Sequence, residues 1–183
     1  RLLQRLELWS ALETDVIPFR SLDLRDADSG GQVLFSNNDL SPANASYGAI
    51  GWILDHRPLM QLLLERLRSS EMVRTFFGTP PPTPEPNDLI IAADGPGSPT
   101  RTRWGIHTWR VPYRQGCLTS KVVLRGAPPD LAFELFRPEG PLAVLPLGGD
   151  AYQVVWSAPM QQCEQRTQLP TATFLDALAS VLP

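Results

Sequence analysis

The sequence predicts an α+β fold: a mainly antiparallel sheet with flanking helices. Three observations predict it. The second half carries several short apolar stretches with period-two alternation, separated by turns rich in Pro and Gly. Leucines at helical spacing mark stretches near the start, before residue 70 and at the end of the chain. One apolar run, ending in an Asp-Gly turn at Asp94, stands apart from both patterns.

Taken in order, Leu2, Leu3, Leu6, Trp9 and Leu12 share one helical face and predict a single amphipathic helix. The chain opens on Arg1 without a Met, as though already inside a helix, and is expected to be cut from a longer protein. Residues 20–26 alternate, Asp28-Ser29-Gly30-Gly31 forms a turn, and Gln32–Ser36 is the returning strand. A polar loop over 37–46 leads to a short strand over 50–54. Pro58 suits the first turn of the next helix, whose stripe is Leu59, Leu62, Leu63 and Leu67; Arg66 and Arg68 solvate the other side. The simplest use of those leucines is packing on a sheet.

Residues 71–77 predict a further strand. The Pro-rich run 79–86 can be neither helix nor interior strand, because proline lacks the donor N–H, and is a connector. From Gln115 the pattern predicts an antiparallel meander with strands at 117–124, Leu131–Phe136, Leu142–Pro146 and 152–157. A last helix begins at Thr171 or Thr173 and carries Phe174, Leu175, Leu178 and Leu182. No internal repeat is present. The organisation expected is 1–87 ending in the connector, a short segment 88–106 around Asp94, and a sheet with final helix over 107–183.

Composition narrows the function classes. With 43% hydrophobic and 19% charged residues, the 183-residue chain has enough apolar material for one core. A net charge of −3 with scattered Lys and Arg excludes an electrostatic grip on nucleic acid. Two cysteines, Cys117 and Cys163, make no disulfide framework and no metal-ligand pattern, so reduced thiols in a cytoplasmic protein are expected, with no metal. No apolar run is long enough to span a bilayer.

The stretch with the most chemical content is 88–101. An apolar strand ends at Asp94, Gly95 and Gly97 let the backbone turn tightly, and Ser98-Pro99 reads as a helix start. Exposed N–H groups at such a start favour an anion, and Arg101 adds positive charge nearby. The bland alternative is a connecting turn whose Asp94 caps its own loop. Pattern alone divides about evenly between the two.

Ala93-Asp94-Gly95 with Ser98 and Arg101 resembles the second flavin-site fingerprint of the p-hydroxybenzoate-hydroxylase class of flavoprotein monooxygenases. The blocks 136–147 and 154–157, with Gly105-Ile106 and Tyr113-Arg114-Gln115 before them, resemble the branch that hydroxylates ubiquinone precursors. The resemblance implies the substrate domain of that fold plus a remnant of its Rossmann-like FAD domain, to which 88–106 would belong. It implies that the full-length parent uses FAD, with NAD(P)H as reductant, to place an oxygen atom on an electron-rich ring. The protein's part is then to orient the ring and exclude water. By position, Asp94, Gly95, Ser98 and Arg101 would sit beside the flavin pyrophosphate and the approach of the nicotinamide cofactor. Pro141, in Pro138-Glu139-Gly140-Pro141, would lie near the flavin ring. Trp104, Trp109 and Tyr113 are candidates for a pocket that receives an aromatic or prenylated quinone precursor, although core packing is the commoner use of such residues.

No nucleophile triad and no acid–base pair is present, so no catalytic side chain is assigned; His56 and His107 are read as structural. The class's first fingerprint would lie before Arg1 and its third beyond Pro183; Gly149-Asp150 does not match the third. The 75–88 region is also shorter than the class usually has. The chain alone is therefore expected to bind no FAD tightly and to be inactive, and an apolar substrate implies transient contact with a membrane surface. The competing readings are a non-catalytic binding or interaction module and a related flavoenzyme such as a halogenase.

Overall fold

The computed structural model describes residues 2–80 and 83–182. Arg1 and Pro183 at the ends of the chain and Pro81-Pro82 of the connector lie outside the described residues. The chain divides into two units, residues 1–63 with 113–183 and residues 64–112.

The first unit begins with two four-residue helices, α1 (Leu2–Arg5) and α2 (Trp9–Leu12), where the apolar spacing predicts one. The break is a left-handed helix end. Glu7 takes φ 57°, its N–H donates to Gln4 O (3.0 Å), and the Leu8 N–H reaches back to Leu3 O (2.8 Å). Glycine normally fills that position, which is why the sequence gives no warning of the break. The turn redirects the chain so that Leu8 and Leu12 are both buried.

Strand β1 (Val16–Phe19) follows, then β2 (Ser21–Asp26), β3 (Gln32–Ser36), a short 3-10 turn (Asn37–Asp39), α3 (Pro42–Ala45), β4 (Gly51–Leu54) and α4 (His56–Ser69), which runs on into the second unit. β1 and β4 form a two-stranded antiparallel ribbon in the register Pro18↔Trp52. After α5 (Pro99–Arg103) in the second unit come β5 (Gln115–Val123), β6 (Leu131–Phe136), β7 (Leu142–Pro146), β8 (Ala151–Pro159), α6 (Met160–Thr167) and α7 (Thr171–Ala179). The main sheet has six strands in the order β3-β2-β6-β7-β8-β5, antiparallel throughout except for the parallel pair β2/β6.

The expected meander is thus only partly formed. β6, β7 and β8 are sequential neighbours, but β5 lies on the far side of β8 and pairs with it over nine residues. The chain must therefore cross two strand ends between β5 and β6. The Tyr152 hydroxyl pins that crossing, with Ala127 O (3.0 Å) and Pro128 O (2.9 Å) in hydrogen-bond reach. Local turn signals could not report that crossing, because it is fixed by a side chain from β8.

Alternation sets the core. Tyr152, Val154 and Trp156 of β8, Leu142 and Val144 of β7 and Phe133 of β6 point to one face. There α7 covers them with Leu178, Phe174 and Ala177. Burying each large apolar side chain contributes about 1.5–3 kcal/mol. On that same face Asp23 is buried, its carboxylate accepting from Arg25 (2.8 and 3.0 Å) and from Gln32 (2.8 Å). The Arg25 hydrogen bond holds its pKa below the usual range against the opposing effect of burial.

In the second unit, two expected strands do not form. Residues 71–77 make no ladder and leave Phe76 and Phe77 exposed. Leu89 is 88% and Ile91 81% exposed in the run before Asp94, which is not a strand. A strand is completed by a neighbour, and no described residue pairs with either segment. Among the described residues no helix is long and apolar enough to cross a membrane.

Candidate functional site

The Asp-Gly motif folds upon itself in the second unit. Ser98 caps α5: its hydroxyl accepts from the Arg101 N–H (2.9 Å), and Pro99 occupies the first turn. Asp94 Oδ2 accepts from the Thr100 N–H (3.1 Å). Hydrogen bonds from the Ser98 and Thr100 side chains and the Thr100 backbone depress the Asp94 carboxyl to about 2, so it is an anion throughout the physiological range. Arg101 Nη2 and Arg110 Nη2 both donate to Pro96 O, at 2.7 and 2.8 Å. Gly95, at φ 83°, supplies the left-handed turn, and open space surrounds the position a Cβ would take.

This geometry tests the fit of a dinucleotide. The open glycine turn allows close approach of a bound group, and Asp94 and Arg101 are not buried in packing. The Thr100 and Arg101 N–H groups, however, already have acceptors in Asp94 and Ser98. The start of α5 therefore leaves fewer free N–H groups for an anion than the sequence implies.

Pro141 belongs to the first unit, in the connection from β6 to β7. Its carbonyl accepts from the Ser157 N–H (2.9 Å) and the Gly140 N–H closes on Arg137 O (3.0 Å). At Gly140 a Cβ would stand 2.7 Å from the backbone oxygen of Ser157, so no side chain fits. Beside it, Glu139 accepts from Trp156 Nε1 (3.0 Å) and Arg166 Nη2 (2.9 Å). Arg137 Nη1 lies 2.7 Å from the same carboxylate without hydrogen-bonding alignment, which makes that contact a charge pair. The Arg166 guanidinium lies 3.9 Å above the Trp156 ring. Burial pushes the Glu139 carboxyl up, but hydrogen bonds from Arg166 and Trp156 and the two positive charges outweigh it and leave it below its ordinary value. Sequence reading singled out Pro141 and missed this lock, since Arg166 lies 27 residues beyond Glu139 on a helix it did not foresee.

Trp109 is 92% and Tyr113 87% exposed, and Trp104 is half exposed. No ring contact among the described residues involves any of the three. The aromatic cluster that does form lies elsewhere, in the first unit. Trp9 of α2 and Trp52 of β4 meet edge to face at 5.5 Å, and Tyr47 meets Trp52 in the same way at 6.2 Å. They border a recess of about 260 Å³. A second recess, of about 560 Å³, adjoins Asp23, Arg25 and Phe133 on the α7 face of the sheet. Each of the three aromatic residues was visible in the sequence, but their meeting depends on the unexpected β1/β4 pairing and on the helix break at Glu7.

No family model matches the chain. In solved structures the fold recurs in FAD-dependent monooxygenases. PqsL of Pseudomonas aeruginosa, described as a probable FAD-dependent monooxygenase, superposes with a TM-score of 0.73 at 18% identity over 90% of this chain and 50% of its own. HpxO of Klebsiella pneumoniae, solved with FAD as an R204Q variant, gives 0.65 at 18% identity over 99% of this chain and 54% of its own. The α+β architecture, an antiparallel sheet with flanking helices, is thus the one found in that class of flavoproteins.

In sequence the chain is similar to ubiquinone hydroxylases. It is 29% identical to the ubiquinone hydroxylase UbiL of Rhodospirillum rubrum over 95% of this chain and 43% of the relative. It is 37% identical to the ubiquinone biosynthesis monooxygenase COQ6 of Danio rerio over 50% of this chain and 19% of the relative. Where the match runs nearly the whole chain, as with UbiL, it spans under half the relative's length.

Proposed function

We propose that this chain is the substrate-facing part of an FAD-dependent monooxygenase that hydroxylates the aromatic ring of a quinone precursor. The observation that carries the proposal is the agreement of two independent likenesses over nearly the same residues: the flavoprotein monooxygenase fold and the ubiquinone-hydroxylase sequence. FAD bound to the full-length protein would supply oxygen activation. Asp94, Gly95, Ser98 and Arg101 would form a wall beside its phosphates, and Pro141, held rigid by Gly140 and Glu139, would border its ring. The sheet would then orient the ring to be hydroxylated and exclude water from it. NAD(P)H would be the reductant, and an apolar substrate would bring the protein into transient contact with a membrane surface. The 183-residue chain alone would be inactive, because it spans under half of a relative such as UbiL.

The test is made on the full-length protein with FAD, NADH or NADPH, and a panel of prenylated phenols. A ring product heavier by one oxygen atom, with nicotinamide oxidation accelerated by the phenol, is the expected result. A full-length protein that purifies without flavin and acquires none on incubation with FAD would overturn the reading. Titrating the chain alone with FAD separates the parts, since binding at micromolar concentration or below would contradict the expectation that the piece does not hold FAD tightly.

A further inference from the structure

We propose that the free edge of β3 pairs with β3 of a second copy of this chain, joining two main sheets across a two-fold axis through Leu34. The inference rests on strand pairing alone and is independent of the monooxygenase reading.

The first argument is the unpaired main chain. β3 stands at one end of the six-stranded sheet, with β2 on one side and, among the described residues, no strand on the other. Residues opposite each other in an antiparallel ladder alternate between pairs that exchange hydrogen bonds and pairs that do not. The Asp26 N–H donates to Gly31 O (2.9 Å), so Asp26/Gly31 is a bonded pair, and Leu24/Val33 and Leu22/Phe35 follow it in register. Gln32, Leu34 and Ser36 therefore turn their main-chain groups outward, away from β2. Two contacts agree. The Ser36 N–H donates to Asp39 Oδ2 (2.7 Å), and the N–H of Ser21, opposite Ser36, donates to Asp130 O (3.3 Å) just before β6. The outward N–H groups of Gln32 and Leu34 are a template for another strand.

Side chains supply the second argument. Val33, Leu34 and Phe35 are 53, 56 and 44% exposed, with Leu34 on one face of the sheet and Val33 and Phe35 on the other. Proteins blunt an apolar edge strand with charge, proline or a bulge. β5, at the opposite edge, carries Lys121. β3 carries none of these devices: it reads Gln-Val-Leu-Phe-Ser, and its register with β2 is unbroken.

Self-complementarity names the occupant. Antiparallel pairing about Leu34 sets Leu34 against Leu34 of the second copy, Val33 against its Phe35 and Gln32 against its Ser36. The two Leu34 residues exchange a pair of N–H···O bonds, and each Gln32 N–H meets the other copy's Ser36 carbonyl. Val33 and Phe35 then form the non-bonded pairs, where side chains approach closest. Apolar residues meet apolar ones, polar meet polar, and no like charges face each other. Because both copies use the same patch, the contact closes on itself and does not propagate into a fibre. A five-residue strand lies at the low end of interface size, so the dimer is weak, with an expected Kd of about 10–100 µM.

The experiment is sedimentation velocity of the 183-residue chain from about 5 to 300 µM, with circular dichroism to check the fold of each variant. A reversible monomer–dimer equilibrium is expected. Leu34→Lys and Leu34→Glu each put like charges opposite one another across the axis and should each weaken the dimer about tenfold or more. Mixing the two variants should restore a dimer, because residue 34 then faces its opposite charge; a merely sticky surface gives no such rescue. If the charged variants lose their fold, Leu34→Thr, which keeps a strand former without the apolar contact, should weaken pairing about threefold. Hydrogen exchange at the Gln32 and Leu34 amides should slow as concentration rises. The proposal is overturned if the chain stays monomeric at the highest concentration, if a folded Leu34 variant dimerises as the parent does, or if the mixture regains no dimer. Gln32 and Leu34 amides already protected in the monomer would overturn it too, since another part of the chain would then cover the edge.

Discussion

Removing the Glu139 carboxylate should cost the sheet more stability than any exposed ion pair could. Glu139 is the shared partner of Arg166, Arg137 and the Trp156 indole, and the three charged side chains are 17–20% exposed. Glu139→Ala leaves two mostly buried guanidiniums facing each other's charge and strips Trp156 Nε1 of its acceptor. A fully buried charge left unpaired costs about 3–5 kcal/mol; with partial solvent access the expected loss here is about 2–4 kcal/mol. Glu139→Gln keeps an acceptor for the indole and should lose roughly half as much. The assay is urea unfolding of the chain followed by circular dichroism, with Arg166→Met completing a double-mutant cycle. The double variant should be less destabilised than the sum of the single ones. The pH dependence has a definite sign. Because the folded carboxyl is held below its ordinary value, its contribution is present above the unfolded value of about 4.3 and is lost as pH falls through the lower folded one. The gap between Glu139→Ala and the parent chain should therefore narrow as pH drops below about 4. A loss under about 1 kcal/mol at neutral pH, or a loss that does not change with pH, would refute the assignment of this cluster as a structural lock.

Three other outcomes are expected. Gly140→Ala should destabilise by about 2–4 kcal/mol, because its Cβ meets the Ser157 backbone at 2.7 Å, whereas Gly149→Ala, with a left-handed φ but open space, should cost only about 1–2 kcal/mol in the same urea titration. Leu178→Ala, which removes the fully buried anchor of α7 from the sheet, should cost about 2–5 kcal/mol by thermal or urea unfolding. The Asp94 carboxyl carbon should titrate near pH 2 by NMR and move up toward the ordinary value in Ser98→Ala, which removes the hydroxyl that depresses it most; the local order it supports is present above roughly pH 4 and is lost as pH falls through about 2.

Most of the second-half strands were legible because their buried and exposed residues alternate strictly. In β8, Tyr152, Val154, Trp156 and Ala158 are inside and the residues between them are not. The Ser98-Pro99 helix start was legible for a similar reason, since a cap and a first-turn proline act within four residues. The path from β5, on the far side of β8, back to β6 was not, because antiparallel pairing can be completed by any strand of suitable length and face. The short α6 was missed because only Cys163 of its eight residues is buried, too few to mark a stripe. Residues 71–77 and 88–93 have the composition of strands, but composition supplies no partner.

By itself the sequence determined the α+β class, the turns between the second-half strands and the helix start at Ser98-Pro99. Each of these depends on residues a few places apart. The tertiary structure alone decided which strands lie side by side, that Glu139 would bind Arg166 across 27 residues, and that Trp9, Tyr47 and Trp52 would enclose one recess. Those contacts arise when distant segments are brought together by a shared core, and no local pattern encodes which segment will arrive.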